Sequence, residues 1–271
     1  MKTTLSCGIL LLLTILKGYS AGERIPAGGR SLAMGGTSVS QCDLWSLSNN
    51  QAGAAWLKGG GAGLGSENRF LLADLTYEQL GLAVAWKAGT FGLFISRLGN
   101  NQYNELKAGL SYARKFGKHF SAGVQLDYLR IHIMDDYGNK SLVSCEIGLQ
   151  YHADRHLIIG VHLINPVPVK ITEYPSELLP STLCAGLSYL FSDAFIVNIE
   201  VEKDLLNKPL FRAGAEYHFA KPMYARIGLS VNPMAFSFGF GLEFGKLTID
   251  IASGYHQALG FSPAGSIIYS F

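Results

Sequence analysis

From about residue 60 to the C-terminus, apolar residues alternate singly with polar or small ones. In the clearest stretch, Phe236, Phe238, Phe240, Leu242 and Phe244 interleave with Ala235, Ser237, Gly239, Gly241 and Glu243. Successive residues of an extended strand point to opposite faces, so this pattern predicts a strand with one greasy and one polar or small face. The same reading holds for Phe211, Ala213, Ala215, Tyr217 and Phe219, for Leu183, Ala185, Leu187, Tyr189 and Phe191, and for Val143, Cys145, Ile147, Leu149 and Tyr151. In all, about fourteen strands are predicted, over 61–69, 79–87, 90–98, 104–116, 119–133, 141–152, 156–164, 181–191, 194–203, 209–219, 222–231, 234–244, 247–256 and 262–271.

The connections fall into two sets. Those near 88–89, 117–118, 153–155, 192–193, 220–221 and 245–246 are very short, while 70–78, 134–140, 165–180 and 257–261 are mostly longer. An even number of strands, with short turns at one end and longer loops at the other, is the pattern of an outer-membrane barrel. A soluble sandwich also alternates, so the strand ends supply the deciding test. Beside the short turns, in phase with the greasy face, stand Trp86, Phe91, Phe116, Phe120, Tyr151, Phe191, Phe195, Phe219, Phe244 and Phe271. A ring of aromatics at one level is what a membrane interface favours. The charges placed on that face are Arg97, Arg114, Arg130 and Lys203, all near strand ends, where long basic side chains reach water. The acids Asp127, Glu146, Glu200, Glu216, Glu243 and Asp250 fall on the other face. The expected fold is therefore all-β, a transmembrane antiparallel β-barrel of about 14 strands. Closure leaves no unpaired edge in lipid. Pro263 in the last strand lacks a donor and is expected near the loop end of the closing seam.

The N-terminal part reads differently. Lys2 precedes a short apolar run over 5–16, followed by Lys17, Gly18, Tyr19 and Ser20. A run of that length suits a secretory signal better than a membrane span. Residues 1–20 are thus expected to be a signal peptide, with cleavage after Ser20 or Gly22, and an anchor helix is the alternative. Residues 21–58 are rich in Gly, Ala and Ser without sustained alternation, and Asp43 and Gly53 are candidates for a helix cap and a helix stop. A fourteen-stranded barrel is too wide for its own side chains to fill. Residues 21–58 are expected to occupy that lumen as a plug or hatch, with a disordered leader as the alternative, and 59–271 to form the barrel.

Composition narrows the function. Charged residues are 15% of the 271 and the hydrophobic fraction is 48%, which excludes a disordered chain. Of 22 basic residues, Lys2 and Lys17 lie in the predicted signal, leaving 20 against 20 acids. A neutral chain offers no footprint for nucleic acid. Cys42, Cys145 and Cys184 remain after cleavage, an odd number too widely spaced for a disulfide scaffold or a zinc site.

The run Gly28-Gly29-Arg30-Ser31-Leu32-Ala33-Met34-Gly35-Gly36, then Asp43 and Asn50-Gln51-Ala52-Gly53, resembles the opening of the FadL-type and PorV/PorQ-type outer-membrane proteins. That family usually carries proline where this chain has Gln51. The terminal Tyr269-Ser270-Phe271 resembles the C-terminal signal by which bacterial barrels are recognised for insertion. The resemblance implies the outer membrane of a Gram-negative-type bacterium, contact with its lipid, and a hatch carrying Arg30, Met34, Gly35, Gly36, Asp43 and Asn50. FadL-type members pass hydrophobic molecules, whereas PorV and PorQ serve type IX protein secretion.

Catalytic motifs are absent in convincing form. The glycine run 59–65 and Gly245-Lys246-Leu247-Thr248 lack the strand–loop–helix setting or spacing of a phosphate loop. His152, His156 and His162 cluster across one hairpin without completing a metal set. No Ser–His spacing stands out, so no enzyme activity, cofactor or metal is expected. The expected lumen network comprises Glu146, Arg212, Glu216, Arg226, Glu243 and Asp250, with Lys87, Lys107 and Lys115 also on the inner wall. Arg212 and Glu216 are expected to pair with Arg226, Glu243 or Arg30. Pro166, Pro168, Pro175 and Pro180 suggest a stiff loop over the mouth. Three functions fit, in decreasing order: a plugged, gated conduit or holder for small hydrophobic molecules, a non-enzymatic accessory that binds a secretion-machinery protein, and a lipid-modifying barrel enzyme.

Overall fold

A computed structural model describes residues 24–134, 138–167, 169–172, 177–204 and 207–271. The expected signal peptide, 1–20, lies outside them. Within them no helix is long and apolar enough to cross a membrane. The strands are β1 (Gly60–Asn68), β2 (Thr76–Trp86), β3 (Gly89–Gly99), β4 (Tyr103–Phe116), β5 (Phe120–Ile133), β6 (Gly138–His152), β7 (Leu157–Ile164), β8 (Lys170–Thr172) and β9 (Glu177–Leu178). There follow β10 (Thr182–Ser192), β11 (Phe195–Asp204), β12 (Leu210–Ala220), β13 (Met223–Val231), β14 (Ala235–Phe244), β15 (Leu247–His256) and β16 (Gly260–Ser270). All except β8 and β9 form one closed antiparallel barrel of fourteen strands. Each predicted strand is present, most with ends within about two residues.

Closure is made between the first and last strands. Gly61 to Glu67 pair with Ser270 to Ala264. At the turn end, Gly60 and Phe271 exchange two backbone hydrogen bonds of 3.1 and 3.0 Å. The β1 ladder stops at Ala264, one residue before Pro263, so the missing proline donor costs the seam nothing.

Two loops differ from expectation. β2 begins at Thr76, and the β1–β2 loop is shortened to two 3-10 turns, Arg69–Leu71 and Ala73–Leu75. The proline-bearing 165–180 loop is more than a stiff extended segment. β8 and β9 pair as a small hairpin, and buried Leu179 packs with Ile131 and Leu142 at the loop-side mouth. Pro168 and Pro175 lie outside the described residues.

The outer surface carries exposed leucine, isoleucine, valine and phenylalanine around the cylinder. An apolar face of that extent is matched to hydrocarbon, not to water. Nine of the ten turn-side aromatics are well exposed, led by Trp86 at 71%, and Phe195 is half-buried. Phe116 and Phe120 are 6.1 Å apart between ring centroids, and Phe191 and Phe195 are 5.8 Å apart. A second aromatic row, not read from the sequence, lies toward the loops. Phe236, Tyr255 and Phe261 stand side by side on β14, β15 and β16, with Tyr255 and Phe261 at 4.9 Å. Asp127, Glu146, Glu200, Glu216 and Asp250 are buried inside, while Glu78, expected in the 70–78 loop, lies on β2. Glu78 is exposed on the outer face, 3.9 Å from Arg97, because it lies two residues from the loop end of β2, where water is in reach.

The core lies inside the cylinder. Residues 24–58 fold there into α1 (Gly29–Ala33), α2 (Ser46–Asn49) and α3 (Gln51–Ala54). Leu44, Trp45 and Leu47 pack against Ala83, Phe94, Ala113 and Ile268 on the inner wall. The expected cap and stop are displaced. Asp43 accepts from the Trp45 amide at 3.0 Å, upstream of α2, whereas Asn50 caps α3 by accepting from the Ala52 amide at 3.2 Å. Gly53 lies within α3 and ends nothing. A Cβ there would stand 2.4 Å from the Gln41 carbonyl, so close packing, not helix termination, requires it.

Candidate functional site: the lumen

Many inward wall positions are glycine, which lets the backbone of 24–58 reach the sheet itself. A Cβ on Gly228 would lie 1.9 Å from the Gly35 amide, and one on Gly214 would lie 2.4 Å from the Met34 carbonyl. The facing glycines are equally constrained. Gly35 and Gly36 adopt φ of 72° and 80°, the left-handed region that side chains disfavour. Met34 between α1 and this turn is fully buried. The Met34-Gly35-Gly36 run is thus a tight bend pressed on β12 and β13.

Charges tie the same segment to the same two strands, nearer the turn end. Arg30 grips Glu216 at two points, Nε to Oε2 and Nη2 to Oε1, both 2.8 Å, and reaches Asp43 at 3.4 Å. Glu216 also accepts from Arg226 at 2.6 Å, and Arg226 donates to Asp250 at 2.5 Å. The result is a chain of alternating charge, Asp43–Arg30–Glu216–Arg226–Asp250. An isolated buried charge costs several kcal/mol to desolvate, and the alternation offsets that cost. Burial by itself pulls the Arg30 guanidinium down, but Glu216 and Asp43 outweigh it and hold it above its ordinary value. Burial pushes the Asp43 carboxyl up, and Arg30 draws it only partly back. Burial and the Asp43 charge together push the Cys42 thiol up to about 12.

A second knot forms near the loop end. Arg24 donates to Glu200 at 2.9 Å and to Glu202 at 2.8 Å, and Arg212 binds the same two acids at 3.3 and 2.6 Å. The Ser38 and Val39 amides add 2.6 and 2.8 Å bonds to Glu200. Arg212 and Glu216, four residues apart, therefore serve different knots. Arg24 and Glu202 escaped the sequence reading, since Arg24 stands in an aperiodic stretch. Glu243 does not join the buried network as expected. It is exposed at the turn end, hydrogen-bonded to Tyr224, because its position near the end of β14 leaves it in water.

Glu146 gathers a third knot with Lys107, His162 at 2.9 Å and the Gln51 amide at 2.6 Å. Gln51 is the first residue of α3, a position proline also suits. Here the side chain replaces proline's rigidity with a bond to the wall. Beside it the Asn50 amide donates to Val39, Leu149 and Val161 carbonyls at 2.7, 3.2 and 3.4 Å. Lys87 is exposed near the β2–β3 turn, and Lys115 stands 4.3 Å over the Trp56 ring.

The three histidines share no site. His162 is buried on Glu146, His152 stacks on Trp56 at 3.7 Å, and His156 is in the exposed β6–β7 turn. Among the described residues, Cys184, Glu200 and Glu202 are the group close enough to ligate a metal. Their carboxylates already bind two arginines, a setting hostile to a cation. The free thiols are Cys42, Cys145 and Cys184.

The segment divides the remaining space. On the loop side are cavities of about 90 and 180 Å3, both walled by Arg24 and Ile25. On the turn side lies a vestibule of about 400 Å3, lined by Arg30, Asp43, Glu216, Tyr224, Glu243 and Ser270 among others.

No known protein family description matches the chain, and no curated protein matches it. Solved structures do. CymD, a monoaromatic hydrocarbon channel, aligns with TM-score 0.69 and 15% identity over 90% of this chain and 97% of its own. The toluene transporter TbuX of Ralstonia pickettii aligns with TM-score 0.67 and 14% identity, over 90% of this chain and 98% of its own. A FadL homologue of Pseudomonas aeruginosa gives TM-score 0.67 and 11% identity, over 92% and 98%. The chain therefore has the fold of the FadL-type outer-membrane barrels.

Proposed function

We propose that this protein is an outer-membrane conduit for small hydrophobic molecules, exported by its N-terminal 1–20 signal, with residues 21–58 as its plug and gate. The observation that carries the reading is the division of the lumen. Residues 24–58 separate two loop-side cavities from a turn-side vestibule, and are tied to the wall by polar contacts at Arg24, Arg30, Asn50 and Gln51. Similarly folded proteins described as hydrocarbon channels and toluene transporters support a hydrophobic cargo. Arg30, Met34, Gly35, Gly36, Asp43 and Asn50 form the gate in this reading. Arg30 holds it by charge through Glu216 with Asp43 beside it, Asn50 holds it by amide bonds, and the Met34–Gly36 bend holds it by fit.

Liposome uptake tests the proposal. Vesicles containing the barrel should accumulate a labelled hydrophobic compound faster than empty vesicles, and equal uptake would overturn the conduit. In that case, recovery of a secretion component from cross-linked outer membranes would favour the accessory role that the PorV/PorQ resemblance implies.

A further inference from the structure

The larger loop-side cavity contains an acid whose position is unexplained by the plug. Glu67 is the last inward residue of β1 and only 6% exposed. Among the described residues, no hydrogen bond reaches its carboxylate, and its ion-pair partner is Arg69, with Nε 4.0 Å from Oε1. That gap is too long for a hydrogen bond. Its carboxylate thus faces the cavity without a protein donor and can accept a hydrogen bond from a ligand.

The cavity is apolar along its plug side and at Phe70, with Arg212, Ser230, Ser237 and Ser262 on the rest of its wall. Ile25, Pro26 and Leu32 of the plug form one side, and Phe70 closes another. Phe70 is held over the cavity by a strained loop. Its φ is 58° and that of Leu71 is 57°, its amide donates to Ser262 Oγ at 3.0 Å, and its ring meets His256 edge-on at 6.1 Å. Two consecutive bulky residues in the left-handed region are strained, and such strain collects at ligand clamps. The volume, about 180 Å3, matches one ring, since an apolar cavity of roughly 150 Å3 holds benzene.

We propose that this cavity binds a single-ring or similarly compact molecule bearing one hydroxyl, with the hydroxyl bridging Glu67 and Arg69 and Phe70 closing over the ring. The inference rests on the conduit reading and names its cargo. A hydroxyl both donates and accepts, so one oxygen satisfies the Glu67 acceptor and the Arg69 donor together. An ammonium only donates and a carboxylate only accepts, so either leaves one partner unmet, and a bare hydrocarbon leaves both.

The test compares toluene, 4-methylphenol, 4-methylbenzylamine and 4-methylbenzoate by calorimetry on the detergent-purified barrel. 4-Methylphenol should bind at least about 10-fold tighter than the other three. Glu67→Leu should erase that preference and leave toluene binding intact. If Glu67→Leu fails to give a heat-modifiable folded barrel, Arg69→Met carries the same expectation. Equal binding of 4-methylphenol and toluene, or a preference that survives both substitutions, overturns the inference. Liposome uptake of toluene without hydroxyl preference would sink this inference and leave the conduit standing, whereas absence of any uptake would sink the conduit.

Discussion

Arg30 and Glu216 lie 186 positions apart in the chain and meet through two parallel 2.8 Å hydrogen bonds inside the barrel. This fork-to-fork contact fixes both distance and angle between the N-terminal segment and β12. Removing either partner leaves the other charge poorly compensated, at a cost of about 3 kcal/mol at the lower end for buried pairs. In Glu216→Gln, the open form of 24–58 should therefore rise roughly 100-fold. Chymotrypsin, which cuts after Trp45, should then cleave intact barrels much faster while the strands survive. Unchanged cleavage would argue that Arg30 does not hold the segment.

Gly228→Ala tests fit rather than charge. The added methyl would overlap the Gly35 amide, whereas a Cβ at Gly265 meets nothing nearer than 3.8 Å. Gly228→Ala should displace the Met34–Gly36 bend and raise hydrophobe uptake in liposomes. Gly265→Ala should behave as the parent, and both should remain heat-modifiable on gels.

Cys42 reports on burial. With its thiol pushed up to about 12, the reactive thiolate is scarce at pH 8. Iodoacetamide should label Cys42 in the folded barrel slowly and in denatured protein readily. Asp43→Asn removes a charge that raises this thiol, so folded-state labelling should quicken.

The same substitution has a signed pH dependence. The folded Asp43 carboxyl is raised, first by burial and then against the pull of Arg30. Folding thus favours its protonated form. The stability Asp43 contributes is complete below its unfolded pKa and lost as pH rises through the folded one. Asparagine does not ionise, so the Tm of Asp43→Asn minus that of the parent should grow as pH rises from the acid range to neutrality. A flat or falling difference would contradict the assignment.

The lumen was only partly legible from sequence. Strand periodicity placed Arg212, Glu216, Arg226 and Asp250 on the inner face, because facing follows from counting by two. Which acid each arginine meets depends on register and on the fold of 24–58. Arg212 therefore pairs with Glu200 and Glu202 instead of the expected Arg226, Glu243 or Arg30 network. Glu243 has the right parity and the wrong depth, and parity carries no information about depth.

By itself the sequence determined the cylinder. Alternation, turn lengths and the aromatics from Trp86 to Phe271 express local rules, since each strand's two faces are set by its own residues and its solvent. Only the tertiary structure decided which contacts hold the segment in the bore. Arg24 and Gln51 acquire their meaning from acids 176 and 95 residues away, and no local period encodes such contacts. The wall glycines join the two levels: each looks like a weak strand residue alone, and becomes necessary once a second backbone lies against it.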